Sequence, residues 1–464
     1  MENKKKIGLL GCIMTGIGAI IGSGIFGSLS AEINEVGYLV IASFILAALY
    51  ILARAMPPMY TTTIIPTSGG HFLYATKLMH PYIGLFVIIQ STLMPVLVAA
   101  YSLLFSDYFC QLIPSLNGKQ KIVAITVLAV YGIIALFGTH VITKFNSFVV
   151  ILLLVAVGLY ILLGLPHIDF NHIAMNQHSF SDVKLSTFVV SISVLANCIG
   201  GAVDITQIAN DVHNPSSTIP KAVFISTALV SVIYILMALI TLGCRGDGSI
   251  DTLATVASSF MSPSLVVVFV ICGPICGVLT SMVPIMLMIA AQLNAAAESG
   301  VFPQAVGKKN RHGVAQYCLM YVVGFAIIAV ASGTSFVIMF TVFAAVCDWM
   351  QLPSNLIPLM LKKKYPHACN NPGFKINYVM TAILSVIAFV TAIYLSVTTI
   401  LTLGKGIWTL IILTTIILIV YFVIRIKYLK GKGRDLIKEL KQPYQPWEEH
   451  EEECRQLDLE HGNN

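Results

Sequence analysis

Charge is scarce in this sequence. Of its 464 residues only 10% are Asp, Glu, Lys or Arg, whereas 57% are hydrophobic. Soluble globular chains carry about 25% charged residues. No soluble fold of this length hides so much apolar surface, so the composition excludes a soluble protein. Polar segments are equally scarce. Apart from a tail from about residue 429 to Asn464, no stretch is long and polar enough to form an attached receiver or kinase domain. The apolar runs hold no His–Glu zinc motif, no Gly-x-Ser-x-Gly elbow and no paired carboxylates, which argues against a membrane-embedded enzyme. No disulfide framework is visible either. Most cysteines (Cys12, Cys198, Cys272, Cys276, Cys318, Cys347) fall inside apolar runs, where Cys acts as a small apolar residue. Cys272 and Cys276 have i, i+4 spacing but no His or further Cys to complete a metal site. His167, His172 and His178 lie in one loop without ligand spacing and read as solvated. The sequence therefore calls for no cofactor and no metal.

What is abundant is apolar run after apolar run, many near the ~20 residues of a spanning helix. Twelve spans are expected, at about 7–30, 36–56, 82–110, 122–138, 145–164, 185–209, 220–243, 265–297, 314–331, 335–361, 377–398 and 406–428. The first run reads as a span and not a cleaved signal, because no small-residue cleavage site leads into a polar region. Lysine and arginine set the orientation. With the N-terminus in the cytoplasm, only Lys119, Lys121, Lys184, Arg245 and Lys405 of the 27 basic residues fall outside. Both termini are then cytoplasmic, in a multi-pass protein of the plasma membrane. The net charge of +6 reflects this topology and the anionic inner leaflet, not nucleic acid. The tail is basic first and acidic later. It reads as a mobile cytoplasmic segment with a short helix at "GRDLIKELK".

Two spans contain loosened helix. The first carries "GSGIFGS"; the sixth carries "LANCIGGAVDITQIAND". Glycines are common in membrane helices as packing residues. The informative feature is the pairing, because positions five spans apart are equivalent in a transporter built from two inverted five-helix repeats.

The chain resembles the amino acid–polyamine–organocation (APC) superfamily of secondary transporters. The motifs are "GAIIGSGIF" in span 1, "PTSGGHFLYATKLMHPYIG" at 66–84, "NDVHNPSSTIPKAV" at 210–223 and "AAAESGVFPQAV" at 295–306. They keep the family's order over the first three hundred residues. The resemblance implies an all-α integral membrane protein of the leucine-transporter type. Its inverted repeats would cover about 7–164 and 185–361, with extra helices over 377–428 and discontinuous helices 1 and 6. It implies an amino acid or related amine as substrate, and a membrane domain of residues 1–428 followed by the 429–464 tail.

On that reading the break in span 1 exposes backbone near Ile20, Gly22, Ser23, Gly24 and Ile25. Amides at the new helix N-terminus would take a substrate carboxylate, and carbonyls around Ala19 to Ile21 would take its ammonium. Span 6 would supply the mirror set from Asn197, Cys198, Gly200 and Gly201, and Ser91 in span 3 would line the side-chain pocket. Family members often have a bulky aromatic near position 197. Asn197 allows a larger or more polar substrate side chain.

Asp204 is an intramembrane carboxylate, costly by about 2.5–3.5 kcal/mol on insertion scales. It is either an acceptor for loosened amides or the partner of a cationic amine or a proton. Asp348, placed toward the inner end of span 10, reads as an interfacial or gate-pairing residue. Proton-coupled relatives carry a lysine in the middle of span 5. The stretch 145–164 has none, and Lys144 only precedes it. Exchange or uniport is favoured. A sodium site at Thr280 and Ser281 stays open, as does a polyamine substrate held by Asp204, and no oligomeric state can be read.

Overall fold

The computed structural model describes residues 6–65, 70–138, 143–170, 183–245 and 250–460. The side chains of Ser23, residues 143–147, Asp204, residues 207–211 and Trp408 lie outside that description, as do His172, His178 and the start of the 66–84 motif. The regular structure of the described residues is helical. Among the described residues, nine helical stretches are long and apolar enough to cross a membrane, and Leu9–Ile20, Gln120–Ala135 and Gln316–Ala331 are shorter apolar helices.

Burial separates an inner group from an outer one. In the stretch Pro81–Leu112, 89% of the apolar window is buried, whereas in Lys405–Gly431 only 6% is. The second surface is studded with exposed residues such as Leu410, Leu413, Ile417 and Ile424. Such a helix is apolar on nearly every side and meets the protein only along a narrow strip, where Phe422 and Leu429 are buried, as expected of a face against lipid tails.

Several boundaries differ from those read in the sequence. The first apolar run was expected to end at residue 30. It continues as the helix Ser23–Val36, which carries Glu32 into the interior at 5% exposure. The second helix spans Val40–Ile64 and accommodates Pro57 and Pro58 near its end. The helix Phe336–Lys364 runs 29 residues, so Asp348 sits near its middle and not toward its inner end. The length comes from polar residues, Lys362 to Lys364, in the last turn, where a helix favours cations.

The tail is docked. Helices Leu436–Lys441 and Gln445–Glu460 fold back onto the segment around Tyr74 and onto the end of Phe336–Lys364. Trp447, 2% exposed, stacks on Tyr74 (5.4 Å between ring centroids) and meets Tyr365 edge-on at 6.3 Å. Glu451 accepts the backbone N–H groups of His367 and Ala368 at 2.9 and 2.8 Å, at the start of the short helix Pro366–Asn370. The Lys77 ammonium donates to the carbonyls of Leu440 and Gln442 at 2.8 and 2.9 Å. Asp458 bonds His367 Nδ1 at 2.8 Å and Asn371 at 2.7 Å. A buried aromatic, two carboxylates and the Lys77 ammonium offset the entropy that a charged tail otherwise keeps.

Trp447→Ala should undock the tail. The lost aromatic packing is worth about 3–5 kcal/mol at a buried site, so limited trypsin cleavage at Lys438 and Lys441 should become fast. Wild-type-like protection would contradict the docking. The His367 contact holds the Asp458 carboxyl below the usual aspartate range, followed by its hydrogen bond to Asn371. A carboxylate with a depressed folded pKa contributes stability above its unfolded value and loses it as pH falls through the folded one. Protection of the tail should therefore hold at neutral pH and disappear only on acidification below about pH 4, the unperturbed aspartate value.

Candidate functional site

The helix Leu9–Ile20 stops at Ile21, whose ψ of 70° leaves the helical region, and the chain restarts as a helix at Ser23 after an extended Gly22. Close approach explains the glycine. A Cβ on Gly22 would collide with Ser281 Oγ of the helix Cys276–Glu298. Gly277 lies one turn away from Ser281, and a Cβ there would be 3.4 Å from the Gly22 carbonyl carbon. Two missing side chains thus let the interrupted backbone lie directly on a neighbouring helix.

The second interruption begins where Leu185–Ile199 ends. Residues Gly200–Asp211 continue as a 3-10 helix of 12 residues. Runs of this type rarely exceed three or four residues and mark hinges or strain. The two interruptions meet. A Cβ on Gly201 would lie 2.5 Å from the Ala19 carbonyl oxygen and 2.8 Å from its carbon. Their far ends are also tied, because the His213 N–H donates to the Ile7 carbonyl at 2.9 Å.

Beside this junction Gly24 faces Cys198 and Phe340. Its absent Cβ would be 3.4 Å from both Cys198 Sγ and Phe340 Cζ. Phe340 stacks with Phe336 (5.6 Å) and Tyr101 (6.5 Å), and Phe343 tilts against it at 5.4 Å. The aromatic wall therefore comes from Phe336–Lys364 and not from position 197. The amides of Ser23, Gly24 and Ile25 open a helix and have no partner within it, which makes this end electropositive. Ile25 is fully buried.

Some expected roles change. The Ile20 carbonyl already accepts the Tyr234 hydroxyl at 2.9 Å and the Gly22 N–H at 2.8 Å, so both its lone pairs are engaged. Asn197 does not point at Gly24. Its side-chain amide donates to the Ser193 carbonyl one turn back, at 2.9 Å. Ser91 is not brought to the junction. Its hydroxyl reaches Gln292 at 3.1 Å and Met350 Sδ at 3.6 Å. Each of these three lies ten or eleven residues along its helix from Tyr101, Ser281 or Phe340, a distance of about 15 Å at 1.5 Å per residue. Ser281 lies against Gly22, but its hydroxyl donates to the Gly277 carbonyl at 2.8 Å, and that of Thr280 donates to Cys276 at 3.0 Å. The Ser23 and Asp204 side chains lie outside the described residues. Gly200 faces a group that the sequence reading passed over.

That group is Arg54. It is 2% exposed, and its Nη1 lies 2.5 Å from Oδ1 of the fully buried Asp348. The same carboxylate accepts the Tyr50 hydroxyl at 3.3 Å and the Ser193 hydroxyl at 3.2 Å. The orientation count had placed Arg54 among the inner-side basic residues; it is instead an interior cation. The signal was available. A single Arg within "YILARAM" is costly in a bilayer and needs a partner. Phe340 and Tyr234 had no such signal, because an aromatic in an apolar run reads as packing.

Gly22→Ala should destabilise the protein by about 1–3 kcal/mol, the usual cost of overpacking. Adding Ser281→Ala should recover most of it, since the next nearest atom to the new Cβ is 3.5 Å away. Thermal melting of the two variants in detergent checks this; equal losses would refute the contact. Gly201→Ala, which meets backbone, should have no comparable rescue.

Comparison with known proteins agrees with this architecture. A family model described as amino acid permease matches residues 7–423. The chain is 27% identical to the serine/threonine exchanger SteT of Bacillus subtilis over 267 residues, which cover 55% of this chain and 59% of that one. It is 28% identical to the b(0,+)-type amino acid transporter 1 of Mus musculus over 250 residues, half of each chain. It is 22% identical to a cadaverine/lysine antiporter of Escherichia coli over 324 residues, 68% of this chain and 72% of that one. The match thus spans little more than half the length of the first two of these relatives. The helices, the junction and a family model running through nearly all of the apolar chain lead to one conclusion: this is a multi-pass membrane protein of the amino acid permease family, in the amino acid–polyamine–organocation superfamily.

Proposed function

We propose that the chain carries amino acids across the plasma membrane by alternating access, through exchange or facilitated passage. The observation that supports this most is the junction of the two interrupted helices, where Gly201 lies on the Ala19 carbonyl and Gly24 lies between Cys198 and Phe340. Backbone groups at such a junction recognise the carboxylate and ammonium that all α-amino acids share. The first-turn amides at Ser23 to Ile25 would take the carboxylate. The ammonium would be left to carbonyls other than that of Ile20, which is already doubly bonded. The Phe340 wall would then meet the substrate side chain.

In this reading the helices form twelve crossings, arranged as two inverted sets of five plus Tyr378–Thr402 and Lys405–Gly431, with both termini in the cytoplasm. The helix Thr143–Gly164 carries no acid or base in its sequence beyond Lys144 at its start, which favours exchange over proton coupling through that helix. The relative named as a serine/threonine exchanger supports a neutral substrate. The cadaverine/lysine antiporter supports a second reading, in which Asp204 holds a cationic amine.

Purified protein in proteoliposomes decides between them. Uptake of a labelled neutral amino acid should saturate, and unlabelled amino acid inside should accelerate it at least fivefold. Uptake of lysine or cadaverine instead, abolished by Asp204→Asn, would establish the second reading. Absence of any amino acid or amine flux would overturn both.

A further inference from the structure

The Arg54–Asp348 pair has no part in the recognition scheme above, yet it is the most heavily buried charge in the described structure. Three segments converge on it. Arg54 and Tyr50 come from Val40–Ile64, Asp348 from Phe336–Lys364, and Ser193 from the helix that gives way at Gly200. The guanidinium lies directly on that transition. A Cβ on Gly200 would sit 2.6 Å from Arg54 Nη2 and 3.3 Å from Ile51 Cδ1. Among the described residues Arg54 Nε has no hydrogen-bond partner, although it is buried.

A buried ion pair is a poor stabiliser. Desolvating both charges costs as much as their attraction returns, and apolar replacements of similar size are often neutral or better. The unpaired Nε makes this pair poorer still. Its value must therefore lie in specifying one arrangement of the backbone, the best-attested use of buried polar groups. The arrangement it specifies is local. The carboxylate grips the last α-helical turns through Ser193, whose carbonyl in turn holds Asn197. The guanidinium fills the place of a Gly200 side chain. Helical geometry is thus fixed up to Ile199, and the 3-10 segment starts at the next residue.

We propose that the Arg54–Asp348 pair positions the second interruption. It fixes the point at which the helix gives way and thereby holds Cys198 against Gly24 at the junction. Both are positioning residues, acting on a substrate only through the backbone of residues 198–201. The consequence for transport rests on the transporter reading; the consequence for the backbone does not.

The full-length protein carrying Arg54→Met and Asp348→Leu together tests this. Both charges are gone and the volume is nearly kept. The variant should melt near the wild-type temperature. Amide hydrogen exchange over residues 198–206, read by mass spectrometry, should be at least tenfold faster, with residues 215–244 unchanged. In exchange assays KM should rise about tenfold with Vmax within threefold, the signature of a displaced binding junction. Arg54→Lys keeps the charge without the fork and should fall between the two proteins in both readouts. A folded double variant with wild-type amide protection overturns the proposal. If the double variant does not fold, Arg54→Lys decides: wild-type protection over 198–206 overturns the proposal, and faster exchange confined there supports it. A wild-type protein that moves no amino acid or amine would refute the transporter reading, and the amide measurement would still judge the pair.

Discussion

Everything at the centre of this protein depends on one backbone-to-backbone contact. Gly201 lies on the Ala19 carbonyl at a distance no side chain would permit. In a dry interior each loosened peptide group must find a partner within the protein. The two interruptions solve this together. Ile20 is capped by Tyr234, the Gly22 N–H turns back to Ile20, and Ile7 is tied to His213. What stays open is a helix start whose first amides have no partner within their own helix, held between two glycine contacts.

The surroundings follow from that constraint. Glycines at 22 and 277 admit the helix Cys276–Glu298, and glycine at 24 admits Phe340. Glycine at 200 admits a guanidinium. The same absence of a Cβ therefore has three consequences: close backbone contact, an aromatic wall and a seat for a buried charge. Ser91, Gln292 and Met350 form a separate polar group about three turns further along their helices. The aromatic and acidic tail contacts lie beyond that, at the ends of the helices.

Much of this was legible in the sequence. Scarce charge and repeated apolar runs gave the helices, and the paired glycine strings raised the expectation of two discontinuous ones. Boundaries were less legible. Glu32 lies beyond the expected end of the first span at residue 30, yet it is buried within the helix Ser23–Val36. The tail looked mobile because it is charged. Trp447 was its lone hint of docking, and the partners Tyr74 and Tyr365 are distant in sequence.

The sequence by itself determined the class of protein and its helical composition, because these depend on composition and on local backbone preference. Tertiary structure alone decided which residues meet. Arg54 and Asp348 are each visible in the sequence as costly charges, but 294 positions separate them. Pairing them requires the fold, since the energy of a buried charge depends on what stands beside it and not on its neighbours in the chain.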